Sequence, residues 1–121
     1  MANRILIVDD EPNIVISLEY LLKKEGFEVK VATDGDAALQ QAAEFRPDLM
    51  LLDVMMPKKS GFEVCESLRA DPAQAQLKII MLTAKGRETE VTKGLALGAN
   101  AYITKPFSTK DLVAQIKTLL A

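Results

Sequence analysis

Three carboxylates, a hydroxyl and an ammonium stand at the ends of four short apolar runs. Ile5-Leu6-Ile7-Val8 runs into Asp9-Asp10, Leu49-Met50-Leu51-Leu52 into Asp53, Ile79-Ile80-Met81-Leu82 into Thr83, and Ala101-Tyr102-Ile103-Thr104 into Lys105-Pro106. Carboxylate oxygens suit a hard divalent cation. An ammonium and a hydroxyl suit the oxygens of a phosphoryl group. Brought together, the five groups would form a site for a cation and a phosphoryl group side by side.

Continuous apolar runs of about four to eight residues, bounded by turn signals, read as strands buried on both faces of a parallel sheet. Between them lie helical patterns. Pro12 suits a first helical turn, with Ile14, Leu18, Leu21 and Leu22 on one face and Gly26 as the stop. Residues 28–32 alternate charged and apolar, as an edge strand would. Asp34-Gly35 opens a second helix with Ala38, Leu39, Ala42 and Phe45, ended by Pro47. Strands are expected at 4–9, 48–53, 78–83 and 101–104, and further helices at 62–70, 87–97 and 109–120, the last capped by Ser108 or Thr109. The fourth helix carries the weakest apolar face and has Gly94 inside it. Strand alternating with helix gives an α/β fold: a doubly wound five-stranded parallel sheet with five helices. Order 2-1-3-4-5, as in flavodoxin-like folds, sets the first and third strands side by side and leaves the alternating strand at an edge. Ligands then bind beyond the carboxyl ends of the strands, where the five polar groups stand.

Composition narrows the function classes. The 121 residues suit one domain, and 49% hydrophobic with 26% charged residues is ordinary for a globular core. A net charge of -2 gives no general attraction to nucleic acid or anionic membrane. No apolar stretch nears the roughly 20 residues of a membrane span. The first apolar run is short and ends on acids, unlike a secretory signal. With Cys65 alone there is no intrachain disulfide, and a cytoplasmic setting is expected. The chain has no histidine, so any histidine chemistry must come from a partner.

Over its whole length the chain resembles the receiver domain of bacterial response regulators. The likeness rests on Ile5 to Pro12, Asp48 to Pro57, Gly61, Leu82-Thr83-Ala84, Gly98-Ala99 and Tyr102 to Phe107, in that order. It implies one receiver domain over residues 1–121, acting in two-component signalling as a switch rather than as an enzyme, although it assists its own phosphorylation and dephosphorylation. Asp53 would accept a phosphoryl group from a sensor histidine kinase or a histidine phosphotransfer protein. Asp10 would ligate Mg2+ directly, Asp9 through water, and Asp53 and the Met55 carbonyl would complete the protein ligands. Thr83 and Lys105 would bind the phosphoryl oxygens, and Tyr102 would be the aromatic switch beside Thr83. The changed surface, around the fourth helix, fifth strand and fifth helix, would meet an effector protein or an output domain. Phosphorylation-dependent homodimerisation is one form of output in the family. Here Asn100, Ala101, Gln115 and Val91 occupy positions where the winged-helix members carry a charged dimer network. Met55 and Lys85 flank the approach of water in the family, and neither favours fast hydrolysis.

Each group alone has a common structural use. Asp9-Asp10-Glu11 could serve a helix dipole, Thr83 a local backbone bond, Lys105 solvent. Joint placement at successive strand ends favours a site. Two other classes compete. A flavin-binding flavodoxin-like protein needs a phosphate loop after the first strand, and acids stand there. An aspartyl-phosphate phosphatase needs a second acid two residues after its nucleophile, and Met55 stands there. The expected boundary at the fifth helix fits either a stand-alone regulator or a receiver excised from a larger one.

Overall fold

Strands without polar alternation need cover on both faces, and the sheet supplies it. A computed structural model of the chain describes residues 3–56, 58–84 and 88–121. Pro57 and Lys85, both singled out above, lie outside the described residues, as does the first residue of the fourth helix expected at 87–97. In chain order the elements are β1 (Arg4–Val8), α1 (Pro12–Lys24), β2 (Glu28–Ala32), α2 (Gly35–Phe45), β3 (Leu49–Asp53), α3 (Gly61–Arg69), β4 (Lys78–Ala84), α4 (Glu88–Ala96), β5 (Ala101–Lys105) and α5 (Thr109–Leu120). All strand pairs are parallel, in the order β2-β1-β3-β4-β5. This is the doubly wound arrangement expected from the sequence, with the alternating β2 at the edge.

Successive residues of a strand point to opposite faces, and the core divides accordingly. Leu6, Val8, Met50, Leu52, Ile79 and Met81 pack with Ala38, Ala42 and Phe45 of α2 and Val64, Cys65 and Leu68 of α3. Ile5, Ile7, Leu49, Leu51, Ile80 and Leu82 pack with Leu18 and Leu22 of α1 and Leu112 and Ile116 of α5. Nearly every side chain of β1 and β3 is therefore committed to one core or the other. Polar groups are left for the strand ends, where the backbone turns back into a helix.

The helix ends follow their local chemistry. Pro12 opens α1, and Gly26 follows it at a positive φ of 93°, a conformation glycine adopts without penalty. The Asp34 carboxylate accepts from the Ala37 N–H at 2.8 Å, capping α2. Ser60 and Glu63 form a reciprocal capping box on α3. Ser108, not Thr109, caps α5. The small differences from expectation lie at boundaries: β1 stops at Val8, β3 starts at Leu49, and α3 starts at Gly61. A 3-10 turn at Pro72–Gln74 follows Asp71, where the sequence showed only a break. β4 runs one residue beyond the expected 78–83, to Ala84, so Thr83 is its penultimate residue rather than its last.

α4 is held most lightly. Gly94 is its one buried residue among those described, and it lies against Met81 of β4. The far end of α4 is tied by Arg69. Its guanidinium donates to the Gly98 carbonyl at 2.9 Å, the Gln74 carbonyl at 3.3 Å and Asn100 Oδ1 at 2.8 Å. Asn100 Oδ1 also accepts from the Ile79 N–H at 2.8 Å. Only a planar fork with several donors can join three acceptors in this way. We expect Arg69→Ala to lower stability by about 2 kcal/mol and Arg69→Lys to recover little of it. Urea unfolding of the three proteins checks this; full recovery by lysine would show that charge alone, not the fork, holds the turn.

Candidate functional site

The register brings the polar groups together. Val8 pairs with Leu52, so Asp9 emerges beside Asp53. Asp53 pairs with Leu82, and Ala84 with Lys105. One oxygen from each of Asp9, Asp10 and Asp53 can be chosen so that all lie within 4.8 Å of one another. Lys105 reaches across from β5: its Nζ is 2.8 Å from Asp9 Oδ2, 3.4 Å from Glu11 Oε1 and 3.5 Å from Asp53 Oδ1. Asp10, Glu11, Asp53 and Lys105 border a cleft of about 160 Å3 that Met55 and Glu90 also line, with Asp9 buried behind Lys105. A larger groove of about 580 Å3 runs between β5, α5 and the end of α4. It holds Tyr102 but none of the carboxylates, so the chemistry belongs to the smaller cleft.

Burial differs sharply among the three acids. Asp9 is fully buried and Asp53 nearly so at 7% exposure, whereas Asp10 is exposed. Asp9 Oδ1 accepts from the Glu11 N–H at 2.9 Å, and Asp53 Oδ1 from the Met55 N–H at 3.4 Å. Burial pushes the Asp53 carboxyl up to about 6, and the charge of Asp9 adds to it. Lys105 and the Met55 N–H act the other way, and Asp10 adds a smaller upward push. For Lys105, burial favours loss of the proton, but the hydrogen bond to Asp9 and the charges of Asp53, Asp9 and Glu11 outweigh it and raise its pKa.

Thr83 completes the set. It is 2% exposed, and its Oγ1 is the one buried side-chain polar atom without a hydrogen-bond partner among the described residues. Buried polar atoms are almost always paired, so this hydroxyl, between the cleft-lining Leu82 and Ala84, has an unmet hydrogen-bonding demand. Tyr102, two residues before Thr104 on β5, is 43% exposed and lines the larger groove.

The arrangement can hold a hard cation. The donors are oxygens, carry more than one negative charge, and cluster on one side of Lys105; that set suits magnesium. Of the residues expected to form the site, Asp10, Asp53, Met55 and Lys105 line the cleft; buried Asp9 is bonded to Lys105, buried Thr83 lies between the cleft-lining Leu82 and Ala84, and Tyr102 lines the larger groove instead. Two neighbours were not singled out. Glu11 was read only as part of an acidic run, yet it is a partner of Lys105. Glu90 reaches the cleft from α4, and no sequence spacing reports how a helix lies across a sheet.

The description of the response regulator receiver domain matches residues 5–117. The chain belongs to that family. It is 47% identical over 120 residues to the alkaline phosphatase synthesis transcriptional regulatory protein PhoP of Bacillus subtilis, covering 99% of this chain and 49% of that protein. The receiver thus spans about half the length of that relative. Its fold matches the chemotaxis response regulator CheY4 of Vibrio cholerae with a TM-score of 0.93 and 32% identity, over 99% of this chain and 100% of that one. It also matches the receiver domain of the sensor histidine kinase PA1611 of Pseudomonas aeruginosa, with a TM-score of 0.91 and 28% identity, over 99% and 98% of the two chains. That structure has a magnesium ion coordinated in its active site cleft. Among the described residues, no helix of this receiver is long and apolar enough to cross a membrane.

The raised Asp53 has a consequence for stability. Between its ordinary 3.8 and about 6, the folded metal-free protein keeps a proton that the unfolded chain has released. Stability therefore falls as pH rises through that window and levels off above it. Asp53→Asn should flatten this slope and raise metal-free stability at neutral pH by about 1–3 kcal/mol. Asp10→Asn should do much less, because Asp10 is exposed. Urea unfolding in chelator across pH 4–8 measures both; a parent whose stability rises through the window would contradict the assignment.

Proposed function

We propose that this receiver is a phosphorylation-dependent switch in which Asp53 accepts a phosphoryl group from a phosphohistidine of a partner kinase or histidine phosphotransfer protein. The N–P bond of the donor breaks as an Asp53 Oδ–P bond forms, and the imidazole nitrogen leaves with the electron pair. The 121 residues of the receiver contain no histidine, so the donor histidine lies outside them. The observation that carries the reading is a buried carboxylate set beside an ammonium and near an unpaired hydroxyl. Asp53 lies 3.5 Å from Lys105 Nζ, in a cleft lined by Leu82 and Ala84, and the Thr83 hydroxyl buried between those two has no partner among the described residues.

Roles follow from position. Asp10, exposed at the cleft mouth, and Asp53 would hold Mg2+ with the Met55 carbonyl, and buried Asp9 would act through a bound water. The cation would favour the ionised Asp53 and shield its charge from the donor's. Lys105 and the Thr83 hydroxyl would take the phosphoryl oxygens as charge gathers on them. Positioning and charge neutralisation are most of what phosphoryl transfer needs.

The signal leaves through α4 and β5. Drawing the Thr83 hydroxyl toward a phosphoryl oxygen would free space into which Tyr102 can turn. α4, docked through Gly94, can then shift its population and change the face it shares with β5 and α5. That face would meet an effector protein or an output domain of a longer regulator. A homodimer built on a charged network has less support, because Asn100 is already bonded to Arg69 and Ile79. The setting we propose is the cytoplasm, where donor kinases present their phosphohistidine.

With magnesium and a small phosphodonor such as acetyl phosphate, one phosphoryl group should appear on Asp53, and Asp53→Asn should take none. Intact-mass and peptide analysis reads both. Label on another aspartate, or on Asp53→Asn at the parent's level, would overturn the proposal.

A further inference from the structure

Gly35 lies outside the cleft, at the start of α2, yet its surroundings tie it to the loop that carries Met55. An ideal Cβ placed on Gly35 would stand 2.4 Å from Lys59 Cβ, 2.7 Å from the Lys59 carbonyl oxygen and 3.0 Å from Lys59 Cα. Real Cβ atoms do not approach backbone so closely, so any side chain at residue 35 must push the Lys59 backbone away. Conformation does not explain the glycine. Its φ is not in the left-handed region where Gly26 and Gly98 lie. Helix capping does not explain it either, because Asp34 already caps α2, and glycine is among the poorest helix formers. Close approach is the remaining reason for it.

The loop is clamped from its other side as well. A Cβ on Gly61 would stand 2.3 Å from the Asp53 carbonyl oxygen and 2.9 Å from Val54 Cα, and the Gly61 N–H donates to the Val54 carbonyl at 2.9 Å. Lys58 lies 3.6 Å from Asp34, and Lys59 3.9 Å from Asp36. These ion pairs are exposed and add little strength, so contact of Lys59 with Gly35 is the firmer constraint. Between the two glycine contacts lies Met55, which lines the cleft, donates its N–H to Asp53 and would supply its carbonyl to the proposed cation.

We propose that Gly35 is a positioning residue for the cation and phosphoryl site: by letting Lys59 pack against the start of α2, it sets where the β3–α3 loop presents Met55 to the cleft. This rests on the reading of the cleft as a magnesium site. The predicted consequence is linkage in both directions. Ligands at the cleft order the start of α2, and crowding at residue 35 weakens the cleft.

The test uses the whole receiver and magnesium alone. Gly35→Ala should weaken magnesium binding, followed as the metal-induced rise in melting temperature, by about tenfold or more, the scale seen when supporting groups behind a metal ligand are altered. Gly35→Ala combined with Lys59→Gly removes the nearest of the clashes and should recover part of the loss. A folded Gly35→Ala protein with an unchanged magnesium titration would overturn the proposal. Because that variant could fold poorly, the parent gives an independent reading. Magnesium should slow amide hydrogen exchange at residues 35–38 as well as at 53–56. Protection at 53–56 with none at 35–38 overturns the role of Gly35. No magnesium response anywhere overturns the cation site itself, and the inference with it.

Discussion

Everything at this cleft depends on burying two carboxylates side by side: for Asp53 the lost solvation weighs most, and the charge of Asp9 adds to it. Asp9 and Asp53 meet because parallel strands β1 and β3 are neighbours in register, and neither can turn to solvent. Two like charges about 4 Å apart repel by roughly 4 kcal/mol at an effective dielectric near 20. Lys105 offsets part of this, and a proton on Asp53 offsets more. The metal-free site is thus held in an unfavourable state that either a cation or a proton relieves. The crowding that costs stability is what gives the site its affinity for positive charge.

The fold makes such a cluster sustainable. Both faces of β1 and β3 are sealed by separate apolar cores, and those cores fix the strands without help from the acids. Strain at the carboxyl edge is therefore carried by the rest of the sheet. The output elements are built the opposite way. Among its described residues α4 buries Gly94 alone, and its far end is tied by Arg69. A rigid floor beneath a lightly docked helix is the division of labour that a switch needs.

Much of this was legible in the sequence, for identifiable reasons. Apolar runs ending on Asp9, Asp53, Thr83 and Lys105 declared both the strands and their functional ends, because a doubly covered strand has no other place for a polar residue. The opening of α2 at Asp34-Gly35 is a local event and was read locally; the capping box at Ser60 was not read, and Ser108 needed the structure to separate it from Thr109. What stayed hidden depends on distances between elements. Asp9, Asp10 and Asp53 are one residue type, and only the structure ranks them as sealed, exposed and perturbed. Glu90, Glu11 and the contact of Gly35 with Lys59 arise from how helices and loops lie on the sheet, which no spacing along the chain encodes. The exposure of Tyr102 is of the same kind: it follows from the groove beside the edge strand β5, not from any spacing along the chain.

The central claim is that the Asp53 carboxyl is perturbed by its burial, with the charge of Asp9 adding to it, and is relieved by a cation. Carbon-detected NMR titration of the side-chain carboxyl of Asp53, in chelator and then in magnesium, measures this at the atom concerned. The account predicts a midpoint near 6 without metal, well above the ordinary 3.8, and a marked fall when magnesium is added. A midpoint near 3.8 that magnesium does not move would contradict it.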